Sequence, residues 1–318
     1  MTRVYKQAII TRTKNRPILF ERAVKSVTAQ TSSDYVHVIL NDGGDKAEVE
    51  RILKDNPGKN RVIIHNKESV GLTKALNQAI RAVHSTYVAI LDDDDTWAPE
   101  RVKETNDYLD KHDDQDAVVV SMDKIIEKID EDNIVEIQRD RWYPGLQVVS
   151  LYDQMLDNYL SNGCTSYRRS LFEELGGYDE SLEVAEDWDF GIRTLIRGDV
   201  FVMQKVLAYY HHRPEQTGRD GNSVFAEYDT HKKNLVKLRN KYLREDVKKG
   251  SLRVGYIMNS MAHSKEQAEK LAKDLDSQTT RIEGHVNAAT QPIVDEIKNS
   301  KCIVRNFVKR VLRRLRNA

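Results

Sequence analysis

The sequence predicts an α/β fold, a mostly parallel sheet flanked by helices, followed by a C-terminal α-helical extension. Three observations carry that expectation. Over residues 1 to about 122, apolar β-rich runs alternate with stretches of helical spacing, the pattern of strands joined by crossover helices. The fourth such run, Val88-Ala-Ile-Leu91, ends in four consecutive carboxylates, Asp92 to Asp95, with Trp97 and Pro99 close behind. From about residue 222 glycine becomes rare and charged helical patterns take over.

Taken in order, Val4 to Thr11 is apolar and β-rich, and Asn15 with Pro17 marks a helix start running to Gln30 through Leu19, Ala23, Val24 and Val27. Tyr35 to Asn41 reads as a strand closed by Asp42-Gly43-Gly44. Glu48 to Lys54 reads as a helix, Arg61 to His65 as a strand, Gly71 to His84 as a helix and Tyr87 to Leu91 as the fourth strand. Ala117 to Met122 is a fifth strand, and Ile125 to Gln138 alternates about Asp130-Glu-Asp-Asn133 as a hairpin excursion. Short helices follow at Ser150–Asn158 and Arg169–Leu175, the second stopped by Gly176-Gly177. Then come a helix over Ala185–Ile196 and a strand over Val200–Tyr210. In parallel sheets ligands bind beyond the carboxyl ends of the strands. Thr11-Arg12, Asn41-Asp42 and Asp92 to Asp95 all fall there.

Composition sets limits. The chain has 318 residues, 31% charged and 39% hydrophobic, ordinary for a soluble protein with room for one large domain and an appendage, or for two domains. No apolar run approaches the roughly 18 residues of a membrane span. The first residues lack a secretory apolar core, so a cytoplasmic location is expected. Cys164 and Cys302 fit no metal or disulfide framework. A net charge of zero hides an asymmetry: residues 301–318 hold seven basic side chains and no acid, leaving 43 basic against 50 acidic groups elsewhere.

Four adjacent carboxylates repel one another, at about 1 kcal/mol per pair in water and more when buried. Oxygen ligands so gathered point to a hard divalent cation, manganese or magnesium.

The motifs, in order, resemble glycosyltransferase family 2. They are Ile9-Ile-Thr-Arg-Thr-Lys-Asn-Arg-Pro17, Leu40-Asn-Asp-Gly-Gly44, Ser69-Val-Gly-Leu-Thr-Lys-Ala-Leu-Asn77, Ile90-Leu-Asp-Asp-Asp-Asp-Thr-Trp97, Tyr167 to Asp179 and Glu186-Asp-Trp-Asp-Phe190. The likeness spans about residues 4–220. It implies a GT-A fold of Rossmann-like type and metal-dependent, inverting transfer of a sugar, hexosyl or N-acetylhexosaminyl, from a nucleotide-sugar donor, UDP-linked by expectation. The acceptor implied is a hydroxyl of a growing surface polysaccharide, other glycan or lipid-linked glycan. By the same resemblance Asp187 is the general base, with Glu186 orienting acceptor or base. Asp92 faces ribose or ion, and Asp94 ligates the ion together with a histidine, His212 or alternatively His211. The run of four acids leaves Asp93 and Asp95 open as further members.

Thr11, Arg12, Asp42 and Lys74 are read as donor-binding: Asp42 for a base imide N–H, Arg12 for base or phosphate, and Lys74 for a phosphate oxygen or as a solvated lysine. At Gly177 backbone approaches the donor sugar, unless the glycine pair is only a helix stop. Trp188 either stacks on a sugar or sits in the core. Arg213 and Arg219 sit on a glycine-containing segment that includes Gln216 to Asn222, suited to closing over a diphosphate. A Thr-Arg-Thr-Lys run stands where the family's proline–threonine–aromatic run is commoner. Two other readings are a sugar-nucleotide nucleotidyltransferase and a non-catalytic glycan-binding or scaffold protein.

The expected organisation is a catalytic domain over 1–221, a helical extension over 222–300 and a basic amphipathic tail helix over 301–318. In the extension Ile257, Met261, Ser264, Ala268, Leu271, Leu275, Gln278 and Ile282 follow 4-3 spacing, suited to packing on the body or to a homo-oligomer. In the tail Ile303, Val304, Phe307, Val308, Val311, Leu312 and Leu315 form an apolar stripe opposite the basic residues. That pattern suits an anionic membrane surface, peripheral at the inner face of the plasma membrane, with packing as the alternative and no nucleic-acid partner expected.

Overall fold

A computed structural model describes residues 3–130, 133–222 and 228–316. They form two compact units, Met1–Asn259 and Ser260–Ala318. In the first unit β1 (Val4–Thr13), β2 (Tyr35–Asp42), β3 (Arg61–Asn66) and β4 (His84–Ile90) pair in parallel in the order β3-β2-β1-β4. Helices α1 (Pro17–Thr28), α2 (Lys46–Asp55) and α3 (Leu72–Arg81) make the crossovers. Local chemistry sets their starts. Pro17 needs no N–H in the first turn. Asp45 accepts from the N–H groups of Ala47 (2.8 Å) and Glu48 (3.2 Å). Every residue of β2 is buried, as a strand covered on both faces requires. Ile10, Leu40, Leu76, Ile80, Val88 and Ile90 fill the core between sheet and helices. Each such side chain contributes about 1.5–3 kcal/mol by leaving water.

The second half of the sheet is mixed. Strand β6 (Ala117–Asp130) pairs in parallel with β10 (Val200–His212), the two-residue β8 (Val148–Val149) lies antiparallel against the start of β10, and β9 (Thr165–Arg168) runs antiparallel between β4 and β6. The fifth strand and the hairpin expected from sequence are continuous: β6 carries on past Met122 and returns as β7 (Asn133–Trp142). The turn residues 131 and 132 lie outside the described residues. Helix α4 (Arg101–Lys111) and the two-residue β5 (Thr96–Trp97), against β10, are additions to the sequence reading. Helices α5 (Leu151–Leu156), α6 (Arg169–Glu174) and α7 (Glu186–Arg197) fall where spacing predicted.

The C-terminal helices are α8 (Tyr228–Lys249) and α9 (Val254–Arg316). Lys241 of α8 donates to Asp179 (2.7 Å) and Asp189 (2.9 Å), and Tyr242 donates to Asp189 (3.1 Å), which docks α8 on the start of α7. Helix α9 runs unbroken through Pro292 and residue 301, so the extension and the tail, read separately in the sequence, share one helix. Leu271, Leu275 and Ile282 are exposed. The first residues of the helical stretch expected from about residue 222, at 223–227, and the side chains of the tail's apolar stripe lie outside the described residues.

Candidate active site

Strand β4 hands the chain to a turn in which the Asp95 N–H donates to the Asp92 carbonyl (3.2 Å). That turn aims the four acids at different partners. Asp93 accepts from Thr13 (2.8 Å) at the end of β1 and from Arg16 (2.8 Å). Asp94 accepts from Arg16 (2.9 Å), Arg213 (2.6 Å) and Asn222 (3.3 Å). Asp95 accepts the backbone N–H of His211 (2.9 Å).

Electrostatics separate the four. Burial pushes the Asp92 carboxyl up to about 7, helped by the charges of Asp94, Asp187 and Asp93. Asp93 and Asp95 are also raised, chiefly by burial. Burial acts the same way on Asp94, but Arg16 and Arg213 outweigh it and hold that carboxyl low.

A second layer supports this turn. Fully buried Arg213 bridges Asp94 and Glu127 (2.7 Å), and Glu127 also pairs with Arg22 (2.7 Å) and His211 Nδ1 (2.6 Å). Burial would lift Glu127; the hydrogen bonds from His211 and Arg22 override it and hold Glu127 at about 2. Arg16 reaches the Gly221 carbonyl (3.1 Å), and Asn222 donates to the His211 carbonyl (2.8 Å). The segment after β10 is thereby tied to the acids.

Opposite stands the start of α7. Ala185 takes a left-handed backbone (φ +65), uncommon for a residue with a Cβ, and turns Glu186 and Asp187 inward. Both carboxyls are raised by burial, Glu186 well above its usual range with Asp187's charge as the next cause. Asn162 donates to Glu186 (3.3 Å), and the Asp187 carboxylate accepts the Trp188 N–H (2.8 Å).

Two cavities meet at these acids. One, of about 390 Å³, is lined by Arg12, Arg16, the four aspartates and Glu186. The other, of about 320 Å³, is lined by Trp142, Tyr143, Asp157, Asn158 and Trp188. Asp92, Asp95, Asn162, Asp187 and Tyr210 border both.

Of the residues singled out in the sequence, Arg12, Asp92 to Asp95, Glu186, Asp187 and Trp188 line these cavities. Asp42 is buried beside them. Its carboxylate accepts from Asn66 (3.0 Å), Ser69 (2.7 Å) and the Val70 N–H (2.9 Å), with Arg12 at 3.7 Å. Thr11 points instead into the sheet, 3.0 Å from His37. Lys74 is exposed on α3 and lines neither cavity. Gly177 (φ +84) ends α6; a Cβ there would meet Asn77 at 2.9 Å, so packing explains the glycine. Arg219 is exposed, paired with Asp220 (3.2 Å). His211 faces Thr96 and Glu127. His212 lies on the same strand face as Tyr210, their ring centres 4.2 Å apart, and borders neither cavity.

The sequence reading missed Arg16, Glu127, Trp142, Tyr143, Asn162 and Asn222. Arg16 lay inside a quoted motif, next to Pro17. Glu127 and Trp142 are on the two arms of the excursion, where alternation tells the faces apart without telling which one meets the site.

The expected divalent ion is answered in part. Asp92, raised by its acidic neighbours, has the charge surroundings a hard cation relieves. Asp94 is held by two arginines. Among the described residues no three of His, Cys, Asp and Glu stand as a ligand cluster. The carboxylate donor set is of the chemistry a hard cation takes, and Asp94 is at the same time engaged by Arg16 and Arg213.

A mixed α/β sheet with carboxylates gathered at its strand ends is the arrangement of a GT-A glycosyltransferase. The chain belongs to that class through glycosyl transferase family 2, whose model matches residues 8–176. It is similar to an uncharacterized glycosyltransferase of Rickettsia typhi, 26% identical over 210 residues, 65% of this chain and 64% of that protein. A PGL/p-HBAD biosynthesis glycosyltransferase of Mycobacterium bovis is 26% identical over 58% of this chain and 68% of its own length. Among solved structures, the mannosyltransferase PcManGT of Pyrobaculum calidifontis, in complex with GDP-Man and Mn2+, superposes with a TM-score of 0.59 at 18% identity. That match covers 82% of this chain and 70% of PcManGT. TarS of S. aureus, in complex with UDP-GlcNAc, gives 0.55 at 18% identity, covering 66% and 60%.

Proposed function

We propose that the chain transfers a hexosyl or N-acetylhexosaminyl group, with inversion, from a nucleotide sugar to a glycan hydroxyl. The observation carrying this reading is the meeting of an arginine-bearing cavity and an aromatic one at Asp92 and Asp187. Arg12 and Arg16 suit a diphosphate. Asp42, charged and already accepting three hydrogen bonds, keeps capacity for one more donor such as a base N–H. A UDP-sugar is therefore the first donor to test. The UDP-GlcNAc and GDP-Man complexes of the structural neighbours support the donor class.

In transfer, the Asp187 carboxylate takes the acceptor hydroxyl's proton as that oxygen bonds to the anomeric carbon. The bond to the diphosphate breaks on the far side, and the diphosphate leaves with its electron pair. Burial raises the basicity of Asp187, which favours proton abstraction. Asp92 and Asp94 would hold a divalent ion, which when bound neutralises charge on the leaving diphosphate; the manganese in the PcManGT complex supports this. Catalysis is assigned to residues 1–221, and the helices beyond to attachment. No helix among the described residues is long and apolar enough to cross a membrane. The basic tail is assigned to an anionic membrane surface, which suits an acceptor in surface-polysaccharide synthesis.

Asp187→Asn tests the base. Nucleotide release should fall by about 10²–10⁴-fold while donor affinity by calorimetry is kept; near-normal turnover would remove Asp187 from that role.

A further inference from the structure

The two cavities differ in charge as well as in shape. Among the described residues lining the aromatic one there is no lysine or arginine, whereas Asp92, Asp95, Asp157 and Asp187 all border it. Its aromatic wall is braced. Trp142 meets Tyr143 and Tyr210 edge-on, with ring centres 5.0 and 5.8 Å away, and Tyr143 packs against Tyr159 at 4.2 Å. The Trp188 indole N–H is tied to the Gln154 carbonyl. Tyr143 holds a left-handed backbone (φ +51), a conformation that persists for an aromatic residue only where its surroundings enforce it.

Two basic side chains stand near this wall without supplying a countercharge inside it. Lys124 places its ammonium 5.2 Å from the centre of the Trp142 ring but does not line the cavity. His212, its ring centre 5.8 Å from that of Trp142, likewise does not line the cavity.

We propose that this cavity is the acceptor subsite and that it selects an uncharged sugar ring, rejecting phosphorylated and carboxylated acceptors. The proposal rests on the donor assignment above. A pyranose presents C–H groups to an aromatic face and hydroxyls to Asp157 and Asn158, each of which lines the wall. An anionic acceptor would instead stand beside Asp92, Asp95, Asp157 and Asp187 with no lysine or arginine on the described lining to offset its charge. Like charges repel more strongly in such a partly buried site than in water. The same acids tolerate a neutral hydroxyl, which gives its proton to Asp187 during attack.

The test uses the full chain, a UDP-sugar panel with manganese, and pairs of glycosides that differ only by a uronate carboxyl or a phosphate. Neutral glycosides should speed nucleotide release at least about tenfold over their anionic partners. Trp142→Ala should raise KM for the neutral glycoside about tenfold more than KM for the donor, and Trp142→Phe should restore most of it. Asp157→Asn should narrow the neutral-to-anionic gap. Equal use of the anionic partners, or an acceptor KM indifferent to Trp142→Ala, overturns the subsite while calorimetric donor binding persists. Absence of any sugar-nucleotide binding overturns the donor assignment and this proposal together.

Discussion

The two cavities flanking Asp92 and Asp187 are of similar volume and opposite character. One carries Arg12 and Arg16 among its acids, the other aromatic rings and no described cation. The difference follows from where each wall originates. The arginine wall is built on loops at the carboxyl ends of β1 and β4, and its charges are cross-paired: Arg16 with Asp93 and Asp94, Arg213 with Asp94 and Glu127. The aromatic wall comes from β7 and the segments around α5 and α7, outside the parallel half of the sheet. A cross-paired ionic lattice thus sits on the side of the parallel strands, and an aromatic surface bordered by acids, with no described lysine or arginine, on the other.

Glu127→Ala attacks the arginine side hardest. It leaves buried Arg213 and His211, and half-buried Arg22, without their shared carboxylate, at a cost of about 3–5 kcal/mol in urea unfolding. A loss below about 1 kcal/mol would mean that the lattice does not depend on this residue. Arg12→Ala sharpens the division: KM for the donor should rise about tenfold with little change in KM for the acceptor, the mirror image of Trp142→Ala.

Asp92 gives a pH signature. Its carboxyl is pushed up to about 7 from an ordinary 3.8, so the folded chain binds that proton more tightly than the unfolded chain. Stability is therefore lost as pH rises from about 4 to about 7, and the loss is complete above that. Asp92→Asn should raise Tm above pH 7 by about 2–4 °C per kcal/mol relieved, and the gain should vanish toward pH 4. A gain that grows toward acid would reverse the assigned sign. The smallest effect concerns the tail: removing 301–318 should reduce co-sedimentation with anionic liposomes, each basic group having contributed about 1 kcal/mol. Equal co-sedimentation would end that assignment.

The strands of the parallel half and the helices between them were legible because period and caps agree there, as at Pro17 and Tyr35–Asp42. The acid run and Glu186-Asp187 were legible as groups that line one cavity. Arg213 was read as part of a closing loop, yet it is buried between Asp94 and Glu127, a pairing that spans 119 and 86 positions of sequence. Asp94 was read as an ion ligand with His212; the sequence carried no sign that Arg16 and Arg213 also hold its carboxylate. Lys74 and Gly177 kept their alternative readings, a solvated lysine and a helix stop. Trp142 and Tyr143 carried no signal, because only the return of β7 along β6 brings them to Asp187's side.

The most direct measurement is a crystal structure of the chain with an unreactive UDP-sugar analogue and manganese. The account predicts the diphosphate against Arg12 and Arg16, with the anomeric carbon between Asp92 and Asp187 and the aromatic cavity open for an acceptor. Nucleotide seated against Trp142 and Tyr143, with Arg12 and Arg16 uninvolved, would contradict it.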